Sequence, residues 1–232
     1  MPRDALHYSL LFSPRPYTQR VRAATTLTQA IYAIPQGCSQ LAPALARLRW
    51  WQAELVRLQQ GQPEHPATRQ FHASVTPLPE IQPWQQLLAG IQAQLTAEPP
   101  VTLEQYWAEA LQTGGGLEQV YARWQGITAP TALAAAANLG AAQHVWQCLV
   151  GLRSVTALGC CPLPQTLLRA HQLNAARLQA EPRVSHAALQ AVLTHLRGEL
   201  LACQAALIPM DQRIRADLLL SLQGEVAADA TV

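Results

Sequence analysis

The sequence predicts an all-α protein, a single-domain helical bundle. Three observations carry that expectation. Apolar residues recur at the 3.6-residue period along nearly the whole chain, and no period-2 strand pattern appears. Proline, glycine and capping residues punctuate the pattern where helices begin and end. The composition, 50% hydrophobic and 13% charged over 232 residues, supplies one sizeable core.

Taken in order, Pro14 and Pro16 end the N-terminal segment, and a helix runs from about Thr18 to Ile34, stopped by Pro35 and Gly37. Ser39 is placed to cap the next helix, whose apolar stripe is Leu41, Leu45, Leu48, Leu55 and Leu58. Gly61 closes it. His65-Pro66 opens a short helix to about Val75, with proline in the first turn. After Pro77, Pro79 and Pro83, the residues Ile81, Trp84, Leu87, Leu88, Ile91 and Leu95 mark another amphipathic helix, closed by Pro99-Pro100.

Thr102 to Gln105 reads as a capping box for a helix that ends at Gly114-Gly115-Gly116. The triple glycine is then a flexible linker rather than a phosphate loop, because no strand precedes it. Leu117, Val120, Tyr121 and Trp124 form the face of a further short helix. Pro130 opens an Ala-rich helix over about Thr131–Leu152, and Gly159–Pro164 is a loop. A helix over about Pro164–Leu178 follows, broken by Pro182. Ser185 caps a last strong helix with the stripe Leu189, Leu193, Leu196, Leu200, Cys203 and Leu207. Beyond Pro209 a final helix reaches about Leu222. The domain is expected to span 1–224, with 225–232 as a flexible tail.

The totals exclude several classes. Net charge is +2 and no basic cluster exists, so nucleic acid is not expected as a partner. All 16 basic residues are Arg. Cys38, Cys148, Cys160, Cys161 and Cys203 are odd in number and contain no CxxC, which argues against a disulfide framework or a zinc site and for a cytoplasmic protein. Residues 1–11 do not read as a signal peptide. Ala24–Ala46 and Trp124–Leu152 carry no Asp, Glu or Arg, but both contain several polar residues. They are read as buried helices, with peripheral contact to the inner face of the membrane left open.

Three blocks carry a resemblance. The first is His7 to Pro14 followed by Arg20 to Tyr32, with Ala30-Ile-Tyr-Ala-Ile34 inside it. The second is Leu45-Ala-Arg-Leu-Arg-Trp-Trp-Gln-Ala-Glu-Leu55 with the turn Gly61-Gln-Pro-Glu-His-Pro66. The third runs from Leu139 through Arg153 to Leu163-Pro164. Together they resemble the squalene/phytoene synthase family, the head-to-head trans-isoprenyl diphosphate synthases. The second block is similar to the branch that includes mitochondrial complex I assembly factor-like proteins. The resemblance implies a bundle of the isoprenoid (terpenoid) synthase type with a central cavity. In active members two Asp-x-x-x-Asp motifs on facing helices hold Mg²⁺, which binds and draws off a prenyl diphosphate.

This chain departs from that pattern. It has four aspartates, Asp4, Asp211, Asp217 and Asp229, and none falls in either motif region. Ile31–Arg47 contains no acidic residue. In the second motif Arg153 is kept, Ser154 replaces the first Asp and Leu158 the second. The resulting expectation is a non-catalytic isoprenoid-, quinone-like-lipid-binding or assembly protein that uses no cofactor. Its partner would be such a lipid, a protein, or a synthase homologue. An active prenyltransferase using Mg²⁺, or a non-catalytic subunit of a heteromeric synthase, is the alternative. No catalytic or metal residue is assigned. The candidate cavity or diphosphate contacts are Arg20, Arg22, Tyr32, Trp51, His144, Arg153 and Ser154. Of Trp50 and Trp51, about 100° apart on a helix, one is expected to pack inside and the other nearer the surface.

Overall fold

The computed structural model describes residues 15–180, 190, 192–195, 197, 198, 201 and 202. Nine helices lie within 15–180: α1 Arg15–Gln36, α2 Leu41–Gln59, α3 Pro66–Ser74, α4 Gln82–Thr96, α5 Leu103–Trp124, α6 Pro130–Val150, α7 Leu152–Ala157, α8 Gln165–Ala170 and α9 Ala175–Ala180. No strand occurs among the described residues. The expected helix after Ser185 is represented by helical residues between 190 and 202. The expected helix to Leu222 and the tail at 225–232 lie outside the described residues, as does the resemblance block at His7–Pro14.

Two large apolar clusters, with a small third one of Ala122, Ile127, Ala132 and Ala136, make the core among the described residues. In the first, Leu27 and Ile31 of α1, Leu48 and Leu55 of α2, and Leu87 and Leu88 of α4 are almost fully buried. Trp84 packs edge-on against Phe71 of α3, ring centroids 5.0 Å apart, and its indole N–H donates to Thr28 Oγ1 at 3.1 Å. Burial of an indole is favourable when its polar N–H finds such a partner. In the second cluster Tyr106 and Ala110 of α5 meet Leu139, Ala142 and Val145 of α6, under Leu163 and Leu173. The stripes at 3.6-residue spacing therefore do what the sequence pattern implies.

The triple glycine does not end a helix. Helix α5 runs straight through Gly114-Gly115-Gly116 to Trp124. The reason is tertiary: α5 and α6 lie backbone to backbone. A Cβ on Gly114 would sit 2.3 Å from the Gly140 carbonyl oxygen, and one on Gly140 would sit 2.4 Å from the Gly114 carbonyl oxygen. Only glycine permits that approach, and close packing outweighs its poor helix propensity.

Other boundaries also differ. Pro35 does not stop α1 but lies in its last turn, where Gly37 N–H still reaches Ala33 O at 3.2 Å. Ser39 does not cap α2. The cap position is Gln40, which makes no side-chain cap bond, so Ser39 lies one residue too early. The helix expected over Pro164–Leu178 is two short helices, because Gln172 adopts φ 51° between them and ends the first. The Ala-rich helix breaks at Gly151 and continues as α7. His65 and Thr102 cap as expected. The His65 ring accepts from Ala67 N–H at 3.1 Å, and Thr102 Oγ1 accepts from Gln105 N–H at 3.2 Å.

Candidate functional site

Helix α4 has two working faces. Trp84, Leu87, Leu88, Ile91 and Leu95 enter the first core, while Gly90, Ala93 and Gln94 look across to α5. Between α4 and α5 lies a cavity of about 430 Å³. That volume falls in the range of small-molecule sites, roughly 300–1,000 Å³. Tyr106, Ala110 and Thr113 line it from α5, His144 from α6, and Cys161 from the loop before α8. The 97–101 loop that closes one end is tied to α8: Gln165 N–H donates to Pro100 O at 2.9 Å, and the Gln165 amide donates to Pro99 O at 2.8 Å.

A polar network sits at the back of this cavity. His144 is 2% exposed. Its Nδ1 lies 2.9 Å from the Tyr32 hydroxyl, and the Gln94 amide lies 3.1 Å from its Nε2. The same amide donates to Cys148 Sγ at 3.0 Å. With Gln94 donating to Nε2, the ring's proton is on Nδ1 and points at the Tyr32 oxygen. Burial lowers the His144 pKa to about 4, so the ring is neutral at physiological pH. Burial raises the Cys148 thiol to about 12, and also raises Cys160 and Cys161. These are neutral thiols rather than nucleophiles.

Tyr32 and Gln94 also border a second, much smaller space of about 20 Å³, between α1, α4, α6 and the start of α7. Gln36, Gln147 and Cys148 are its other polar walls, with Pro35, Ile91 and Val155 among the apolar ones. This is where the Ile31–Arg47 segment meets the segment that leads to Arg153. A space of that size holds about one water. Its donors are amides, a hydroxyl and a thiol. Mg²⁺ requires clustered, hard oxygen ligands, chiefly carboxylates, and the residues here do not fit it. Among the described residues no group of three or more His, Cys, Asp or Glu could hold a metal ion.

The candidate contacts therefore separate. Tyr32 and His144 are brought together. Arg20, Arg22, Arg153 and Ser154 line neither space. The Arg20 guanidinium donates to Thr76 O at 3.3 Å, while Arg22 and Arg153 are exposed. Trp51 is buried and packs on the His65 ring at 4.6 Å, with Trp50 41% exposed outside it. Sequence reasoning missed Gln94, Tyr106 and Cys148. Gln94 interrupts the small residues Ala89, Gly90, Ala93 and Ala97 on the cavity face of α4. Cys148 lies four residues after His144, one turn along the same face.

Sequence reasoning also missed Glu54, a fully buried carboxylate in the Trp-Trp block. Its Oε1 accepts from Glu64 N–H and His65 N–H, each at 2.8 Å, and from the Thr68 hydroxyl. Its Oε2 takes Arg57 Nε at 2.8 Å and Nη2 at 2.7 Å. Burial alone pushes the Glu54 pKa up. The hydrogen bonds from Thr68, His65, Arg57 and Glu64 together outweigh it and leave the carboxyl below its ordinary value. Glu54 thus staples the Gly61–Pro66 turn onto α2.

The all-α bundle around this cavity is of the isoprenoid-synthase type. The sequence profile of the squalene/phytoene synthase family matches residues 4–227, and the chain belongs to that family. Two solved structures share the fold. The squalene synthase HpnC from Alicyclobacillus acidocaldarius superposes with a TM-score of 0.60 at 14% identity, covering 96% of each chain. A dehydrosqualene synthase, solved in complex with a ligand, superposes with a TM-score of 0.68 at 14% identity, covering 97% of this chain and 82% of that one. No curated protein sequence is similar enough to stand as a relative. No helix among the described residues is long and apolar enough to cross a membrane.

Proposed function

We propose that this chain is a non-catalytic member of the squalene/phytoene synthase family that keeps the scaffold for binding an isoprenoid-type lipid or for assembly with a partner protein. The observation that carries the reading is the carboxylate-free lining of the space of about 20 Å³, bordered by Tyr32 and Gln94, which the neutral His144 joins. That space lies where the 31–47 segment approaches the segment that leads to Arg153, and it offers neither carboxylates for Mg²⁺ nor room for a diphosphate. The cavity of about 430 Å³ beside it supports retained ligand binding. A cytoplasmic protein in peripheral contact with the membrane is consistent with the sparse charge.

The test is product formation. Purified protein is incubated with farnesyl diphosphate, Mg²⁺ and a reductant, and released diphosphate and hydrocarbon products are followed. No diphosphate release above the uncatalysed background is expected. Turnover that depends on Mg²⁺ and saturates with substrate sinks the reading and returns the chain to the prenyltransferases.

A further inference from the structure

We propose that the α4–α5 cavity takes an uncharged, largely apolar ligand bearing an oxygen acceptor, an alcohol or a ketone, and rejects the corresponding diphosphate. The proposal rests on the non-catalytic reading and deepens it by naming the ligand class.

Charge is the first argument. The cavity's ionisable lining consists of Glu98, Glu109, Tyr106, His144 and Cys161, with no arginine. His144 is neutral, as are the tyrosine and the thiol. Glu98 and Glu109 are exposed at the rim, so the net field at the mouth is negative. A diphosphate carries its charge into a site with no guanidinium fork and with the two like charges of Glu98 and Glu109 within reach. A neutral ligand meets no such opposition.

The second argument is a poorly satisfied donor. Tyr106 is 5% exposed, stands in the cavity wall, and its buried hydroxyl finds no oxygen or nitrogen acceptor, only the Cys148 thiol. The Cys148 and Cys161 thiols beside it are weak acceptors at best. Burial, with those thiols, holds the Tyr106 pKa well above its ordinary value, so the group is a fixed O–H donor. A buried hydroxyl whose acceptor is a thiol is poorly satisfied, and a ligand oxygen is the better acceptor. Ala93 and Ala110 on the facing walls leave room for an apolar body.

The test titrates farnesol and farnesyl diphosphate, both without Mg²⁺, into the wild-type chain and Tyr106→Phe by calorimetry. Farnesol is expected to bind at least about 10-fold more tightly than the diphosphate. Tyr106→Phe is expected to weaken farnesol about 3- to 10-fold, the span of one neutral hydrogen bond, while leaving the melting temperature unchanged or raised. Equal or tighter binding of the diphosphate overturns the proposal. So does farnesol binding that Tyr106→Phe leaves untouched. If neither ligand binds, the ligand class is wrong while the non-catalytic reading stands. If the diphosphate binds only when Mg²⁺ is added, both fall.

Discussion

Glu54→Ala removes the acceptor at the centre of the turn that joins α2 to α3. In the folded chain that carboxylate takes the Glu64 and His65 backbone N–H groups, the Thr68 hydroxyl and the Arg57 guanidinium. Not all of these are lost equally. Thr68 Oγ1 also has the His65 carbonyl at 2.8 Å, so it keeps a partner. Arg57 is 25% exposed and can turn to water. The two N–H groups are the real casualties, at about 1–3 kcal/mol each when fully buried. Because their surroundings are only part-buried, the lower end applies, and loss of the nearer charged partner of Arg57, which keeps Glu64 at 3.6 Å, adds about 1 kcal/mol. The expected destabilisation is about 2–4 kcal/mol.

Glu54→Gln keeps one oxygen for the two N–H groups and forfeits the charge, so about 1–2 kcal/mol is expected. Urea denaturation at pH 7, followed by far-UV circular dichroism, measures both. The pH dependence has a fixed sign. The Glu54 pKa is lowered in the folded chain from 4.5. Its contribution is complete above about 4.5 and is lost as pH falls through the lower folded value. If Glu54→Ala lies within about 0.5 kcal/mol of wild type, as an ordinary surface change would, the staple does not hold the turn.

Three further outcomes follow from the same geometry. Gly140→Ala places a methyl 2.4 Å from the Gly114 carbonyl oxygen and should destabilise by about 1–3 kcal/mol in urea titration, whereas a change near zero would mean the helices do not meet backbone to backbone. His144, with a folded pKa of about 4 against 6.5 in the unfolded chain, should make stability fall as pH drops from about 6.5 to about 4, because only the unfolded chain takes up the proton. His144→Gln should flatten that slope in melts at pH 7 and pH 5, and an unaltered slope contradicts a buried neutral imidazole. Tyr32→Phe deprives the His144 Nδ1 proton of its acceptor and should cost about 1–3 kcal/mol by chemical denaturation; no loss would show that the 2.9 Å contact is not a hydrogen bond that matters.

Local signals in the sequence were enough for the helices that begin at Pro66 and Pro130 and for the caps at His65 and Thr102, because each rests on chemistry within a few residues. Gly114–Gly116 was misleading for the opposite reason. Its role is set by Gly140, a partner that local propensity does not reveal. Glu54 was legible in principle. It lies three residues after Trp51 and four before Leu58, on the buried stripe of α2, where a lone carboxylate needs donors. The pairing of Tyr32 with His144 joins residues on two helices far apart in sequence, and only the fold brings them within 2.9 Å. Absence of the motif carboxylates was plain from the sequence. The neutral Tyr32–His144–Gln94 network was not.

The most direct measurement of the central claim is calorimetric titration of farnesyl diphosphate with and without Mg²⁺. The absence of a carboxylate from Ile31–Arg47, Ser154 and Leu158 predicts the same weak or absent heat in both conditions. Binding that appears or tightens more than about 10-fold on adding Mg²⁺ would contradict it, because a metal-diphosphate site would then exist in the bundle.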